Sequence, residues 1–137
     1  MNQASEDFRD KLLTAGLVTA SASSAWFGRI GDLPEKPLDC VAFKSGGGSG
    51  PLDVMDTSIT PIENDSVQVF VRGRGQVASW DKAQAIADAV NAWGKFTQGG
   101  SKYEETRQRG GIPEFSHSKE NNTWTWVINF GVYRKAL

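Results

Sequence analysis

The stretch VQVFVRGRGQVASWDKAQAIADAV, residues 67–90, predicts a strand that is followed closely by a helix. Val67, Val69 and Val71 alternate with polar or aromatic residues, which is typical of a strand with one buried face. Beyond the glycines, apolar residues recur every three or four positions, as on the core-facing side of a helix. That stripe consists of Ala83, Ile86, Ala87, Val90 and Trp93. We expect the helix to run from about Trp80 to Trp93, with Ser79 as its N-cap.

The glycines that join this strand to this helix match the sequence pattern of a dinucleotide-binding turn. Residues 73–78, GRGQVA, fit the pattern G-x-G-x-x-A. That motif works when the helix begins inside the glycine turn, so that its first amides meet the pyrophosphate. The expected N-cap Ser79 comes after the pattern, and no acidic residue stands at 93–98, where the ribose would need one. The glycines are therefore interpreted as a strand-to-helix connection.

The N-terminal residues predict another short helix. Ser5 is a plausible N-cap, and acidic residues in the first turn suit the helix dipole. One face of this helix would carry Phe8, Leu12, Leu13 and Ala15. We expect Gly16 to end it.

Strand and loop signals alternate between this helix and residue 67. Residues 26–30 begin a strand, and LDCVAFKS, residues 38–45, predicts another, with Cys40 and Ala42 on one side and Val41 and Phe43 on the other. The glycine-rich stretch SGGGSGP, residues 45–51, predicts a loop, because glycine loses the most entropy on ordering. Residues 52–63 carry no clear period and are expected to be irregular.

The last third of the chain predicts strands. YEETRQRG (103–110) and IPEFSHS (112–118) are strand candidates, KENN (119–122) predicts a turn, and TWTWVINFGVYRK (123–135) has the strongest strand pattern. In the last of these, the side expected to be buried carries Trp124, Trp126, Ile128, Phe130 and Val132. The order of elements predicts an α+β fold in one domain, residues 1–137, with two helices packed on a mainly antiparallel sheet and a long C-terminal hairpin.

Composition excludes several classes of function. A net charge of −1 argues against a protein that coats nucleic acid by bulk attraction. Cys40 and His117 are the only residues of their kinds, so no disulfide, cysteine metal site or multi-histidine site can form within the chain. No signal sequence or membrane-length apolar run is visible, and we expect the protein to remain in a reducing aqueous compartment. No catalytic site, cofactor or metal is expected.

Two pairs of arginines are the candidate interface residues. Arg72 and Arg74 flank a strand end, and Arg107 and Arg109 alternate in TRQRGG. Arginines beside glycines can contact phosphate or the carboxylates of a partner. The alternative is that they are solvated edge charges that keep strands from aggregating.

The order and spacing of these segments resemble a known family, the small phage proteins described as minor capsid or tail terminator (tail-completion) proteins of long-tailed phages. The resemblance rests on the N-terminal helix, on GRIGDLPEKPLDCVAFKSGGGSGP (28–51), on SVQVFVRG (66–73), on WDKAQAIADAVNAW (80–93) and on TWTWVINFGVYR (123–134). It spans nearly the whole chain.

The resemblance implies a structural virion protein rather than an enzyme. It would be made in the host cytoplasm and would form a ring, expected to be a hexamer, at the end of the tail tube in the neck of the virion. Its implied partners are other copies of itself, the tail tube protein, head-completion or connector proteins and the genomic DNA that passes through the ring, with no membrane. The alternatives are a head–tail connector or stopper protein, and a nucleic-acid-binding module that uses the four arginines.

Overall fold

The computed structural model describes residues 2–51 and 62–137, and for residues 47–51 it describes the backbone alone. The helices of this part of the chain are α1 (Ala4–Thr14) and α2 (Gln76–Asn91). The strands are β1 (Phe27–Ile30), β2 (Cys40–Pro51), β3 (Glu63–Arg74), β4 (Phe96–Gln98), β5 (Ser101–Gln108), β6 (Glu114–Ser118) and β7 (Thr123–Ala136). Of the segment predicted to be irregular, residues 52–61 lie outside the described residues.

The described strands form one seven-stranded sheet in the order β1-β2-β3-β7-β5-β4. β6 also pairs with β7, so that β5 and β6 share one edge of that strand: β6 pairs with its first half and β5 with its second. β1 runs parallel to β2, and the other pairs are antiparallel. The predicted α+β class, the mainly antiparallel sheet and the long C-terminal hairpin of β6 and β7 are confirmed.

Both helices pack on one face of this sheet, here called the helix face. Alternate residues of β3 and β7 point to it, and the register places Val69 opposite Ile128 and Val67 opposite Phe130. All four side chains are fully buried. Phe8 of α1 meets Phe130 with ring centroids 5.6 Å apart. The predicted sidedness of the closing strand is therefore confirmed.

The predicted start of α2 is wrong. The helix begins at Gln76, and Gly75 is its N-cap with a φ of 82°. Glycine adopts this φ without steric cost, so the chain turns into the helix at once. Ser79 lies one turn inside, where its hydroxyl donates to the carbonyl of Gly75 at 2.8 Å.

The helix therefore begins inside the glycine turn, and the position of its N-cap does not argue against a nucleotide site. The topology excludes a dinucleotide-binding βαβ unit instead. The strand that follows α2 is β4, which has three residues and pairs antiparallel with β5, not parallel beside β3. The interpretation of the glycines as a connection is unchanged.

Ser5 is not the N-cap of α1, because the helix begins at Ala4, two residues before the start that a Ser5 cap predicts, and its N-cap is Gln3. The backbone N–H of Gln3 donates to the carboxylate of Glu6 at 3.2 Å. Ser5 is buried instead, and its backbone N–H donates to Ser45 Oγ at 3.1 Å. Gly16, at a φ of 79°, follows the helix end as predicted.

The glycine-rich stretch at 45–51 is not a loop. β2 continues through it to Pro51, and β3 pairs with it from Ser45 opposite Val67 to Pro51 opposite Glu63, with one irregularity between Gly46 and Gly50. The pairing with β3 supplies the hydrogen bonds that a glycine-rich segment cannot provide alone, and this tertiary context overrides local propensity. The short strand β4 was not predicted.

Candidate assembly surface

The open face of the sheet, opposite the helix face, carries the other set of alternating residues. The register aligns Arg72 with Thr125 and Gln68 with Asn129, and the Gln68 amide donates to Asn129 Oδ1 at 3.0 Å. The face consists of Cys40, Ala42, Lys44, Gln68, Phe70, Arg72, Thr125, Val127, Asn129, Gly131 and Tyr133, with Glu105 and Arg107 from β5. An antiparallel sheet can leave one face in water. Neither helix covers this face, although Cys40, Ala42, Thr125, Val127 and Gly131 on it are buried under other parts of the chain. Its accessible residues are the first candidates for contacts with other proteins.

Arg72 lies on the open face, but its guanidinium is engaged within the chain. Its Nε donates to the carbonyl of Leu38 at 2.9 Å, and its Nη2 donates to the carbonyls of Pro34 and, at 2.8 Å, of Pro37. These bonds hold segment 33–38 against the end of the sheet. The structure thus gives Arg72 an intrachain role, and its part in an interface stays a prediction.

Arg74, the last residue of β3, is more accessible. Its side chain is 64% exposed and forms an ion pair with Asp39, with Nη2 3.2 Å from Oδ2. The backbone N–H of Arg74 donates to the same carboxylate at 2.8 Å. Asp39 is only 15% exposed, but the guanidinium is open to water, and a pair with such a solvated partner contributes about 1 kcal/mol or less to stability. Its guanidinium could therefore exchange Asp39 for an anionic partner at little cost.

Arg107 and Arg109 lie together beside a hollow of about 400 Å³ on the open face. Arg107 is 77% exposed and pairs with Glu105, with Nε 3.4 Å from Oε1. Arg109 is also exposed and lies over Gly131, where a Cβ would come within 2.2 Å of its Nε. Tyr133 completes the hollow. Both guanidinium groups can reach a ligand or partner from here.

The four arginines do not form one patch. Arg72 is in register with Thr125, and Arg107 is in register with Gly131, six residues further along β7. At about 3.4 Å per residue, the two positions are roughly 20 Å apart. The structure therefore brings Arg107 and Arg109 together, and places Arg72 and Arg74 at the other end of the face.

Two aromatic residues, which sequence reasoning left without a role, lie between the arginine pairs. Phe115 is 62% exposed and meets Phe70 edge-on, with ring centroids 5.2 Å apart. A bulge in β6 between Glu114 and Ser116 leaves Phe115 without a register partner on β7. Bulges re-aim side chains in this way. Sequence alone offered no signal for it, because bulges depend on the pairing of strands.

A groove of about 730 Å³ lies between segment 33–38 and β6. Its lining combines hydroxyl and amide groups with three charged side chains, two leucines and His117. The lining residues are Leu33, Glu35, Lys36, Leu38, Arg72, Ser116, His117, Ser118, Asn121, Thr123 and Thr125. The imidazole of His117 stacks on Trp124 at 4.0 Å. Groups of this kind can hydrogen-bond to the main chain or polar side chains of a partner.

Arg134 is a further charged residue that sequence reasoning missed, and it is buried. Only 7% of its side chain is exposed. Its Nε donates to Asp65 Oδ2 at 2.8 Å, and its Nη1 donates to the carbonyl of Asn2 at 2.6 Å. Asp7 of α1 lies 3.6 Å from the same Nη1. Arg134 thus joins the N-terminal segment, α1 and β3. Its position in β7, an even number of residues from Phe130 and so on the same side of the strand, was the signal in the sequence that it would be buried.

Asp7 is the buried acid of this network. It is fully buried and accepts a short hydrogen bond from the hydroxyl of Tyr103. Burial raises the pKa of Asp7 above its ordinary value of 3.8, although the Tyr103 hydrogen bond and Arg134 act in the opposite direction. The network ties helix to sheet and lies away from the open face, so its role is structural.

Chemistry at the remaining candidate residues is limited. In residues 2–51 and 62–137, no three His, Cys, Asp or Glu side chains are placed to hold a metal ion. Cys40 is fully buried and its thiol donates to the carbonyl of Phe27 at 3.3 Å, as expected for a buried strand cysteine. Burial raises the pKa of this thiol. Neither described helix has the length and apolar character that a membrane crossing requires.

Comparisons with known proteins agree with this architecture. Residues 11–133 match the family model described as bacteriophage tail terminator protein. A chain in the solved structure titled "Virion of native gene transfer agent (GTA) particle" is 14% identical, with a TM-score of 0.55 over 98% of this chain and 96% of that chain. At that identity the likeness shows a shared fold. No curated protein sequence matches the chain. Because the family model covers most of its length, the chain belongs to the bacteriophage tail terminator family and is a structural protein of the virion.

Proposed function

We propose that the whole chain, residues 1–137, acts as one tail-terminator domain. Copies of it form a hexameric ring that caps the tail tube, stops its growth and joins it to the head-completion proteins, while the genome passes through the ring. The observation that carries this proposal is the family match over residues 11–133. The proposal fits a fold in which both helices pack on one face of the sheet and leave the other face without a helix over it.

Closure of a ring requires two different surfaces on each copy, because each subunit contacts its neighbours head to tail. The chain offers such surfaces. The open face carries arginines and aromatic side chains, and the opposite side presents α1 and α2. β1 and β4 form opposite edges of the sheet. A ring contact and a tube contact can therefore use separate parts of one subunit.

Arg107, Arg109 and Arg74 would make charged contacts in this assembly. Their guanidinium groups are exposed, and carboxylates of a neighbouring protein or phosphates of the genome suit them. Arg72 would contribute by holding segment 33–38 in place. The net charge of −1 and the separation of the two arginine pairs favour assembly contacts over a nucleic-acid-binding module.

The test combines the purified protein with its cognate tail tube protein. Mass photometry and electron microscopy of the protein alone should show rings of one size, and tubes grown in its presence should stop at capped ends. Arg107→Ala with Arg109→Ala should weaken ring formation or capping, whereas Lys119→Ala, at an exposed cation in the turn between β6 and β7, should not. Monomers alone at high concentration, with tubes that grow unhindered, would overturn the proposal. Binding only to a head-completion protein would identify a connector or stopper instead.

A further inference from the structure

An apolar hollow lies beside the first turn of α2, on the helix side of the sheet. It has a volume of about 270 Å³ and is lined by Gln76, Val77, Trp80 and Trp126. Val77 is 71% exposed and Trp80 is 38% exposed, both far from the burial expected of core residues. Among the described residues few large apolar side chains are this accessible, and grouped ones mark contact sites.

The two tryptophans that line this hollow are held in place by contacts within the subunit. Trp80 meets Trp126 edge-on, with ring centroids 5.1 Å apart. The indole Nε1 of Trp126 donates to Ser79 Oγ at 2.9 Å, and this hydroxyl in turn donates to the carbonyl of Gly75. Rigid, pre-positioned tryptophans of this kind are enriched among residues that dominate binding energy.

Phe115 provides a matching projection on the other side of the sheet. Trp126 lines the hollow, and its register partner on β6 is Glu114. Phe115 is the next residue along β6. Its ring lies on the open face against Phe70, whereas the Trp126 side chain belongs to the core on the helix face. The projection and the hollow therefore lie back to back at one edge of the molecule.

The charges beside the two features are complementary. Glu114, adjacent to Phe115, is exposed. The first turn of α2, at the rim of the hollow, contains no acidic residue and carries the positive end of the helix dipole. The exposed Arg74 precedes this turn. Asp81, four residues after Val77 on α2, is also exposed. A copy that places Phe115 in the hollow of its neighbour would bring Glu114 towards the N-terminus of α2 and Arg74, on the side of the hollow away from Asp81.

We propose that Phe115 of one copy inserts into the Val77–Trp80–Trp126 hollow of the next, as the repeating contact between copies. This inference rests on the proposed function, since it assigns the contact that closes the ring. Two different surfaces of one chain meet, so the contact is heterologous and propagates from copy to copy. The ring closes if the rotation between copies permits, and no other protein is needed for the contact itself.

The test separates the projection from the hollow. Phe115→Asp removes the projection and keeps the hollow, and Val77→Asp blocks the hollow with a charge and keeps the projection. Each variant alone should be monomeric, with self-association reduced roughly 30-fold or more, as for the loss of one dominant aromatic contact. Mixed in equal amounts, the two should form a heterodimer that grows no further, because one intact contact remains. Leu137→Asp, at a side chain that is 78% exposed and part of neither surface, should associate like the wild type.

Folding of the variants is checked by circular dichroism and thermal melting. Both substituted side chains are exposed, and an acid in the first turn of α2 suits the helix dipole. Trp80→Arg is the second hollow variant should Val77→Asp fail to fold, with the same expected result. Variants that still form wild-type rings, or a mixture that stays monomeric, would overturn the inference.

The remaining outcomes distinguish this inference from the proposed function. Wild-type rings that cap tubes, together with unaffected variant rings, would contradict the Phe115 contact and leave the tail-terminator function standing. Variants that keep their rings but lose tube capping would show that the hollow binds another protein, which also overturns the inference. A wild-type protein that neither forms rings nor caps tubes would contradict both.

Discussion

The helix face and the open face belong to the same strands, yet their side chains differ in burial. On the helix face, Val67, Val69, Ile128 and Phe130 are fully buried against α1 and α2. On the open face, one residue away along each strand, Gln68 remains exposed and Asn129 is half-buried. Alternation along a strand separates the two sets of side chains. The largest buried apolar side chains thereby lie on the helix face, and Gln68 on the open face is free to contact a neighbour.

The arginines of the two faces also differ in burial. Arg134 on the helix face is buried and bonded to Asp65 and to the carbonyl of Asn2. Arg107 and Arg109 on the open face are exposed. A buried charge is costly to leave without partners, whereas an exposed one can be exchanged between partners with little change in stability. Substitutions on the two faces should therefore have different consequences.

The largest expected difference is between two phenylalanines. Phe130→Ala removes a fully buried ring that packs on Phe8, and should lower the free energy of unfolding by about 3–5 kcal/mol. Phe70→Ala removes a half-buried ring whose neighbour is the exposed Phe115, and should cost about 1 kcal/mol. Urea denaturation of both variants measures the difference. Equal losses would mean that the open face is part of the core.

Two tyrosines test the buried polar network. Tyr103→Phe removes the donor that Asp7 uses and leaves a buried carboxylate short of a hydrogen bond, at a cost of about 1–3 kcal/mol. Tyr133→Phe, the same change on the open face, should alter stability by about 0.5 kcal/mol or less. Thermal unfolding of the two variants provides the comparison. A Tyr103→Phe variant as stable as Tyr133→Phe would contradict the structural role of the network.

Asp7 also predicts a pH dependence. Burial raises its pKa in the folded state above 3.8, so the native protein binds a proton more tightly than the unfolded chain does. The resulting stability is fully present below the unfolded pKa and is lost as the pH rises through the folded pKa. In Asp7→Asn this contribution is absent. The free energy of unfolding of the wild type minus that of the variant should therefore decrease between acidic and neutral pH, as urea titrations at several pH values can measure. A constant or rising difference would contradict the raised pKa.

Much of the fold could be predicted from the sequence because its main elements have strong periodic patterns. The alternation in TWTWVINFGVYRK is compatible with a strand whose Trp126, Ile128 and Phe130 are buried, and the structure confirms it. The stripe of α2 was equally clear. Its start was not, because Ser79 is a good N-cap by type while Gly75 makes the turn by its positive φ, which residue identity leaves undetermined.

Features that depend on pairing could not be predicted. Residues 45–51 form a strand because β3 lies alongside, although glycine disfavours that conformation locally. Of the candidate arginines, Arg107 lies near the end of β5 and Arg109 follows that end, so the two are adjacent in space. Arg72 is instead bound to segment 33–38, whose carbonyls approach it only in the folded chain. Phe115 depends on a bulge in β6, which no local sequence pattern specifies.

The smallest expected effect concerns Gly131, where the open face should show how little the core depends on it. Glycine inside a strand costs about 0.5–1 kcal/mol relative to alanine, yet a Cβ here would come within 2.2 Å of Arg109 Nε. The guanidinium is exposed and can move, so Gly131→Ala should change the free energy of unfolding by about 0.5 kcal/mol or less. In an Arg109→Ala background, where the side chain that occupies this space is gone, the same change should stabilise the protein by about 0.5–1 kcal/mol. A double-mutant cycle in urea measures the coupling between the two substitutions.

If Gly131→Ala destabilises the protein strongly in both backgrounds, a group other than Arg109 fills the space above Gly131, and this part of the open face is not accessible to a partner. If the coupling is found, the displaced Arg109 should also weaken assembly in the same variant, which would connect this small stability effect to the contacts that the open face makes.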